Sequence, residues 1–80
     1  MSAQAIQQSG SFLFYHGNAV VLVQWRDTLS AGMWGRTVTK YQTRWGHDLA
    51  DSELFEILSN VGINRELFQD GVMEELARQA

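Results

Sequence analysis

The hydrophobic pattern of the N-terminal half predicts an antiparallel sheet. In "SFLFYHGNAVVLVQW", aromatic and β-branched residues flank Gly17-Asn18, a dipeptide that tolerates the positive φ angles of tight hairpin turns. We therefore expect two strands joined at this turn, within a sheet part that spans residues 11–46. Residues 1–10 are polar, and we expect a mobile N-terminus or a short helical lead-in there.

The second strand is apolar on both faces. Val20 and Leu22 point one way, whereas Val21, Val23 and Trp25 point the other. Helices normally cover only one side of a sheet in a two-layer domain, so this pattern predicts a second cover. We expect a second copy of the chain to supply it, with Val21, Val23 and Trp25 as the self-association residues. The alternative is a curled sheet crossed by the chain's own N-terminal segment.

Residues 34–46, "WGRTVTKYQTRWG", are compatible with a strand and with a helix. The spacing of Val38, Tyr41 and Trp45 suits one face of a helix, but threonine and valine are frequent here and favour a strand. We therefore favour a third strand, in which Tyr41 and Trp45 point toward the core. The preceding "RDTLSAGMWG" is rich in small residues and is expected to form a loop.

The cations of this segment form the candidate partner-binding surface. Arg36, Lys40 and Arg44 are spaced four residues apart, so they would share a face in a strand and in a helix alike. Trp34 lies at the edge of that face. Trp, Tyr and Arg are the side chains most enriched at the energetically dominant positions of protein interfaces. Trp34, Arg36, Lys40 and Arg44 are therefore the partner-binding candidates.

The C-terminal half, residues 48–80, predicts two helices. Asp51 or Ser52 would cap the first helix, and Gly62 would follow its C-terminus. Asn64 would cap the second, in which Gly71 marks a kink or a restart. The expected core positions are Leu54, Phe55, Leu58 and Val61 in the first helix and Leu67, Phe68, Val72 and Leu76 in the second. The predicted fold is a single small α+β domain, with about three antiparallel strands packed against two C-terminal α-helices.

Composition narrows the class of protein. With 45% hydrophobic and 19% charged residues, the chain is globular rather than disordered. The absence of cysteine excludes disulfides and thiolate catalysis, and it suits a reducing compartment. The N-terminus does not resemble a secretory signal, and no apolar run is long enough for a membrane span, so we expect a cytoplasmic protein. Small domains often gain stability by oligomerisation, which favours a homo-oligomer.

Charge is distributed unevenly along the chain, which has a net charge of −3. Residues 1–47 hold four cations and one carboxylate, a net charge of +3, and residues 48–80 hold two cations and eight carboxylates, a net charge of −6. Such polarity predicts that the two halves face different surroundings or face each other.

No set of residues predicts catalysis. His16 and His47 are the only histidines, and neither a nucleophile elbow, a zinc motif nor a phosphate-binding loop is present. A carboxylate pair such as Asp48 and Asp51 could perform acid–base chemistry, but helix capping explains these residues more simply. We expect no enzyme activity, no cofactor and no metal.

The sequence therefore favours a small protein-binding module that acts as a regulator, inhibitor or adaptor, of the kind found among bacterial or phage accessory proteins. The alternative is nucleic-acid binding through residues 34–46, where cations could follow phosphates and rings could stack on bases. A DNA-binding helix-turn-helix is disfavoured, because the second helix would offer Arg65 against Glu66 and Asp70.

Overall fold

The computed structural model describes residues 7–79. The elements, in chain order, are β1 (Ser9–His16), β2 (Ala19–Ser30), β3 (Met33–Gln42), α1 (Asp51–Asn60) and α2 (Arg65–Arg78). This arrangement confirms the predicted α+β class, an N-terminal antiparallel sheet followed by two helices. Residues 1–6, part of the expected mobile or helical lead-in, lie outside the described residues. Residues 9 and 10 already belong to β1.

The strands form one antiparallel sheet in the order β1-β2-β3. The hairpin predicted at Gly17-Asn18 is confirmed, and Gly17 has a φ of 58° there. The β1–β2 register is unbroken, but the β2–β3 register shifts, because Gln24 pairs with Lys40 while Trp25 pairs with Val38. Thr39 is therefore the extra residue of a β-bulge in β3.

The loop expected over residues 26–35 is instead a continuous hairpin. β2 extends to Ser30, and the chain turns at Ala31-Gly32, where φ is 51° and 77°, and returns through β3. Positive φ at both turn residues is the type I′ pattern, which matches the twist of the flanking strands. Because β1 begins beside Arg26, residues 28–35 extend past it as a two-stranded β-arm. The small residues suggested a loop, but cross-strand pairing outweighs local propensity here.

The core lies between the helices and one face of the sheet. Val21, Val23 and Trp25 are 0%, 0% and 3% exposed and pack in one cluster with apolar residues of both helices. The prediction that these three residues form a self-association surface is thus contradicted, since the chain covers them itself. The buried helix residues of this cluster are Leu54, Leu58, Phe68, Val72 and Leu76.

The helix ends agree in part with the sequence. Asn64 caps α2 as predicted, and its side chain accepts a hydrogen bond from the Leu67 N–H at 2.8 Å. For α1 the N-cap is Ala50 rather than Asp51 or Ser52, and its N–H donates to the Glu53 carboxylate at 3.0 Å. The Glu53 carboxylate therefore makes one half of a capping box, and Ala50 has no side-chain oxygen that could accept from the first-turn N–H groups.

Gly71 does not interrupt α2, contrary to the expected kink or restart. The helix is continuous, and a Cβ atom at Gly71 would lie 2.8 Å from the Phe14 ring, so glycine allows α2 to approach β1 closely. Two expected core residues, Phe55 and Leu67, are 60% and 58% exposed. Within residues 7–79, neither helix is long and apolar enough to cross a membrane.

Candidate functional site

Arg36, one of the four partner-binding candidates, lies on the helix side of the sheet. Its guanidinium donates hydrogen bonds to the backbone carbonyl oxygens of Leu76, at 2.7 Å, and of Gln79. It also lies 4.2 Å from the centroid of the Trp25 ring, and its Nε is 3.5 Å from the Asp27 carboxylate. A cation beside the last carbonyl groups of a helix interacts favourably with the helix dipole. Arg36 therefore ties the end of α2 to the sheet.

The prediction that Arg36, Lys40 and Arg44 share a face is wrong. The bulge at Thr39 adds one residue to β3, so the alternation of side chains reverses between Arg36 and Lys40. Lys40 pairs with Gln24 on the face opposite the helices. Arg44 lies beyond the end of β3, where its guanidinium is 5.5 Å from the centroid of a neighbouring ring, Trp45.

The aromatic residues of this segment also separate. Tyr41 packs against the core as predicted, with its ring centroid 5.4 Å from that of Phe68. Trp45 was expected beside it but is 78% exposed, because β3 ends at Gln42 and the chain turns away. Trp34 is 44% exposed on the β-arm, where it pairs with Leu29. The structure thus does not bring the four candidates together as one surface.

The face of the sheet opposite the helices, hereafter the open face, carries an apolar patch. Leu13 pairs with Leu22 and Tyr15 pairs with Val20 across β1 and β2, so all four side chains are neighbours. Leu13 and Tyr15 are 40% and 64% exposed, and Val20 shares a surface depression with Trp45. We call these five residues the open-face patch. The apolar character of both faces of β2 predicted an interface, but the residues of β2 that lie on the open face are Val20 and Leu22, which are half-buried.

A polar network lies beside this patch at the end of β3. Gln42 is only 8% exposed and accepts a hydrogen bond from the Gln24 side chain at 2.6 Å. Its own amide donates to the Gly46 carbonyl at 3.1 Å and to the Asp48 carboxylate at 2.8 Å. This hydrogen bond and the nearby Lys40 ammonium lower the pKa of Asp48, which lies 3.6 Å from Lys40. These hydrogen bonds hold the turn after β3 in place, and the ion pair with Asp48 engages Lys40.

The side chains that the sequence offered for catalysis lie on the surface. His16 and His47 are both exposed, and within residues 7–79 no three metal-ligating side chains come together. Asp48 and Asp51, the carboxylates considered for acid–base work, are exposed as well. By contrast, an exposed apolar patch with a polar rim is typical of protein interaction sites.

These features are two helices on one face of a short sheet, an apolar patch on the other face and a protruding β-arm. No model of a known protein family, no curated protein and no solved structure matches the chain.

Proposed function

We propose that this chain is a small non-catalytic protein-binding module, a regulator, inhibitor or adaptor, that binds its partner through the open-face patch. The observation that carries the proposal is the exposure of Leu13 and Tyr15 beside Val20 and Leu22 in a protein whose core is already complete on the other face. Within residues 7–79, no element covers this side of the sheet.

The composition and setting of the patch support this proposal. Its aliphatic and tyrosine side chains stand on paired strands, so little conformational entropy is lost when a partner orders them. Tyr15 and Trp45 belong to the residue types that dominate binding energy. Arg44, an exposed cation, lines the same depression as Val20 and Trp45, so an acidic partner surface would complement the patch there. The absence of cysteine supports a cytoplasmic setting for this interaction.

Nucleic-acid binding through residues 34–46 receives less support. The stacked pair Arg44 and Trp45 is its one favourable observation. Arg36 is engaged inside the fold and Lys40 is paired with Asp48, so fewer cations are available for phosphates than the sequence suggested. The net charge of −3 repels phosphates outside a local patch.

Affinity purification from the native host tests the proposal with two matched variants. Tyr15→Glu places a charge in the open-face patch at a side chain that is 64% exposed, and Met73→Glu makes a comparable change at a helix residue that is 60% exposed. We expect a protein that is retained by the wild-type chain and by Met73→Glu, lost with Tyr15→Glu, and unaffected by nuclease. An empty eluate, capture that survives Tyr15→Glu, or capture abolished by nuclease would each overturn the proposal.

A further inference from the structure

The two edges of the sheet differ in how they are protected against pairing. β3 carries Arg36 and Lys40 and contains a bulge, and its end is covered because the Leu49 N–H donates to the Tyr41 carbonyl at 2.9 Å. β1, "SGSFLFYH", contains no Asp, Glu, Lys, Arg or Pro, and its register with β2 is regular throughout. Within residues 7–79, β1 pairs with β2 alone. Natural proteins normally protect such an edge with charges, proline, a bulge or a covering segment, and in the described part of the chain β1 has none of these.

We propose that a second copy of the chain binds along β1, so that two β1 strands pair antiparallel about a twofold axis and the two sheets become one. Strand addition at an exposed edge is a recurring mode of recognition, and twofold dimers are the commonest homo-oligomers. This proposal goes beyond the open-face function, since it uses the edge of the sheet and names the partner as the same chain.

Side-chain alternation restricts the register of this pairing. Directly opposed residues of antiparallel strands lie on the same side of a sheet. Phe12 and Phe14 face the helices, whereas Leu13 faces away, so a regular continuation of the sheet pairs even positions with even positions. The axis then passes through a residue rather than between two. An axis at Phe12 pairs Ser9 with Tyr15 of the second copy and uses nearly the whole strand.

The position of α2 favours the axis at Phe12. Gly71 touches Phe14, and the groove between α2 and β1 is lined further along by Glu74, Glu75 and Arg78. Advancing two strand residues from Phe14 covers about 6.6 Å. A helix covers that distance in four to five residues. Residues 75 and 76 of α2 therefore lie level with Phe12.

Of the three charged residues that line this groove, Glu75 lies near the axis and opposes its own counterpart, whereas Glu74 and Arg78 complement each other. The two α2 helices run antiparallel across the axis, so Glu74 of each copy opposes Arg78 of the other. Both side chains are 69% exposed and are available for this contact, and within one copy they pair at 3.0 Å. An axis at Leu13 would instead oppose Glu74 to Glu74 and remove both contacts with Arg78. Like charges opposed across an interface disfavour that register.

Charge exchange tests the proposal in the full chain. Glu74→Arg and Arg78→Glu each place like charges at both symmetric contacts, so each variant alone should raise the dimer dissociation constant about tenfold or more. An equimolar mixture should recover heterodimers of near wild-type affinity, because the introduced arginine then meets the introduced glutamate. The double variant Glu74→Arg/Arg78→Glu should dimerise like the wild type. Arg65→Glu, on the same helix but away from β1, is the matched control.

Sedimentation velocity over a concentration series gives the dissociation constants, and circular dichroism shows that each variant is folded. A wild-type chain that stays monomeric at the highest concentration would overturn the proposal, as would single variants that dimerise normally or a mixture that gives no heterodimer. The charge-exchange variants leave the open-face patch unchanged, so they should capture the partner as the wild type does even where they no longer dimerise, and either proposal can fail while the other stands.

Discussion

Replacing Arg36 by alanine should destabilise the fold, although the sequence presents this residue as an exposed cation. The change removes the donor of the hydrogen bonds to the Leu76 and Gln79 carbonyl groups, the cation above the Trp25 ring and the ion pair with Asp27. The last carbonyl groups of α2 would then depend on water, and α2 would lose its tie to β3.

The magnitude follows from these contacts. Hydrogen bonds from a charged donor contribute about 1.5–3 kcal/mol each when well buried. The Arg36 side chain is 24% exposed, which reduces that figure. The contact with the Trp25 ring adds about 0.5–2 kcal/mol. Since these terms share one side chain and are not additive, we expect a loss of about 2–4 kcal/mol. For a domain with a free energy of unfolding of about 4–12 kcal/mol, such a loss is large.

Urea denaturation followed by circular dichroism measures this loss, with Lys40→Ala as the matched control on the same strand. Lys40 is 46% exposed and has one ion pair at 3.6 Å, so its removal should cost less than about 0.5 kcal/mol. Arg36→Lys keeps the charge without the forked donor and should fall between the two. If Arg36→Ala and Lys40→Ala lower the free energy of unfolding equally, the assigned role of Arg36 is wrong.

Three further predictions concern single positions. Burial raises the pKa of Tyr41 above its ordinary value of 10.0, so Tyr41 ionises at a lower pH in the unfolded chain than in the folded one, and the free energy of unfolding should fall as pH rises through the folded-state pKa. In urea denaturation at pH 9–11, Tyr41→Phe should remove this loss of stability, whereas Tyr15→Phe should not. Gly71→Ala should lower the free energy of unfolding in urea by about 1–2 kcal/mol, although alanine has the better helix propensity, because the alanine Cβ would clash with the Phe14 ring. In a Phe14→Leu background the same change should cost less. Ala31→Asn should raise the free energy of unfolding by about 0.5–1 kcal/mol in thermal denaturation, since Ala31 has a φ of 51°; a decrease would contradict this turn geometry.

The elements with strong local signals could be predicted from the sequence. Gly17-Asn18 between apolar runs specified the first hairpin, and Asn64 before an amphipathic run specified the start of α2. Local signals failed where pairing with a neighbour decided the outcome. The small residues around Gly32 suggested a loop, yet the strands on either side pair to form the β-arm.

The sequence indicated an interface on β2 but not which of the β2 side chains lie on the open face. A strand that is apolar on both faces indicated an interface, but alternation gives two sets of side chains without stating which set the helices cover. Val20 and Leu22 lie half-buried on the open face, and the set chosen from the sequence, which includes Val21, is buried. The unprotected edge of β1 was also unpredictable, because the position of a strand within a sheet depends on the whole topology.

The sequence by itself determined the α+β class, the first hairpin, the strand character of residues 34–42 and the presence of more apolar surface than one face of a small sheet can bury. Tertiary structure alone decided where its cations lie. The bulge at Thr39 arises from pairing with β2. Because this extra residue reverses the alternation of side chains, Arg36 lies on the helix side of the sheet and Lys40 lies on the open face. Side-chain periodicity is a local property, whereas register depends on the partner strand, so a stripe inferred from spacing holds only until a bulge interrupts it.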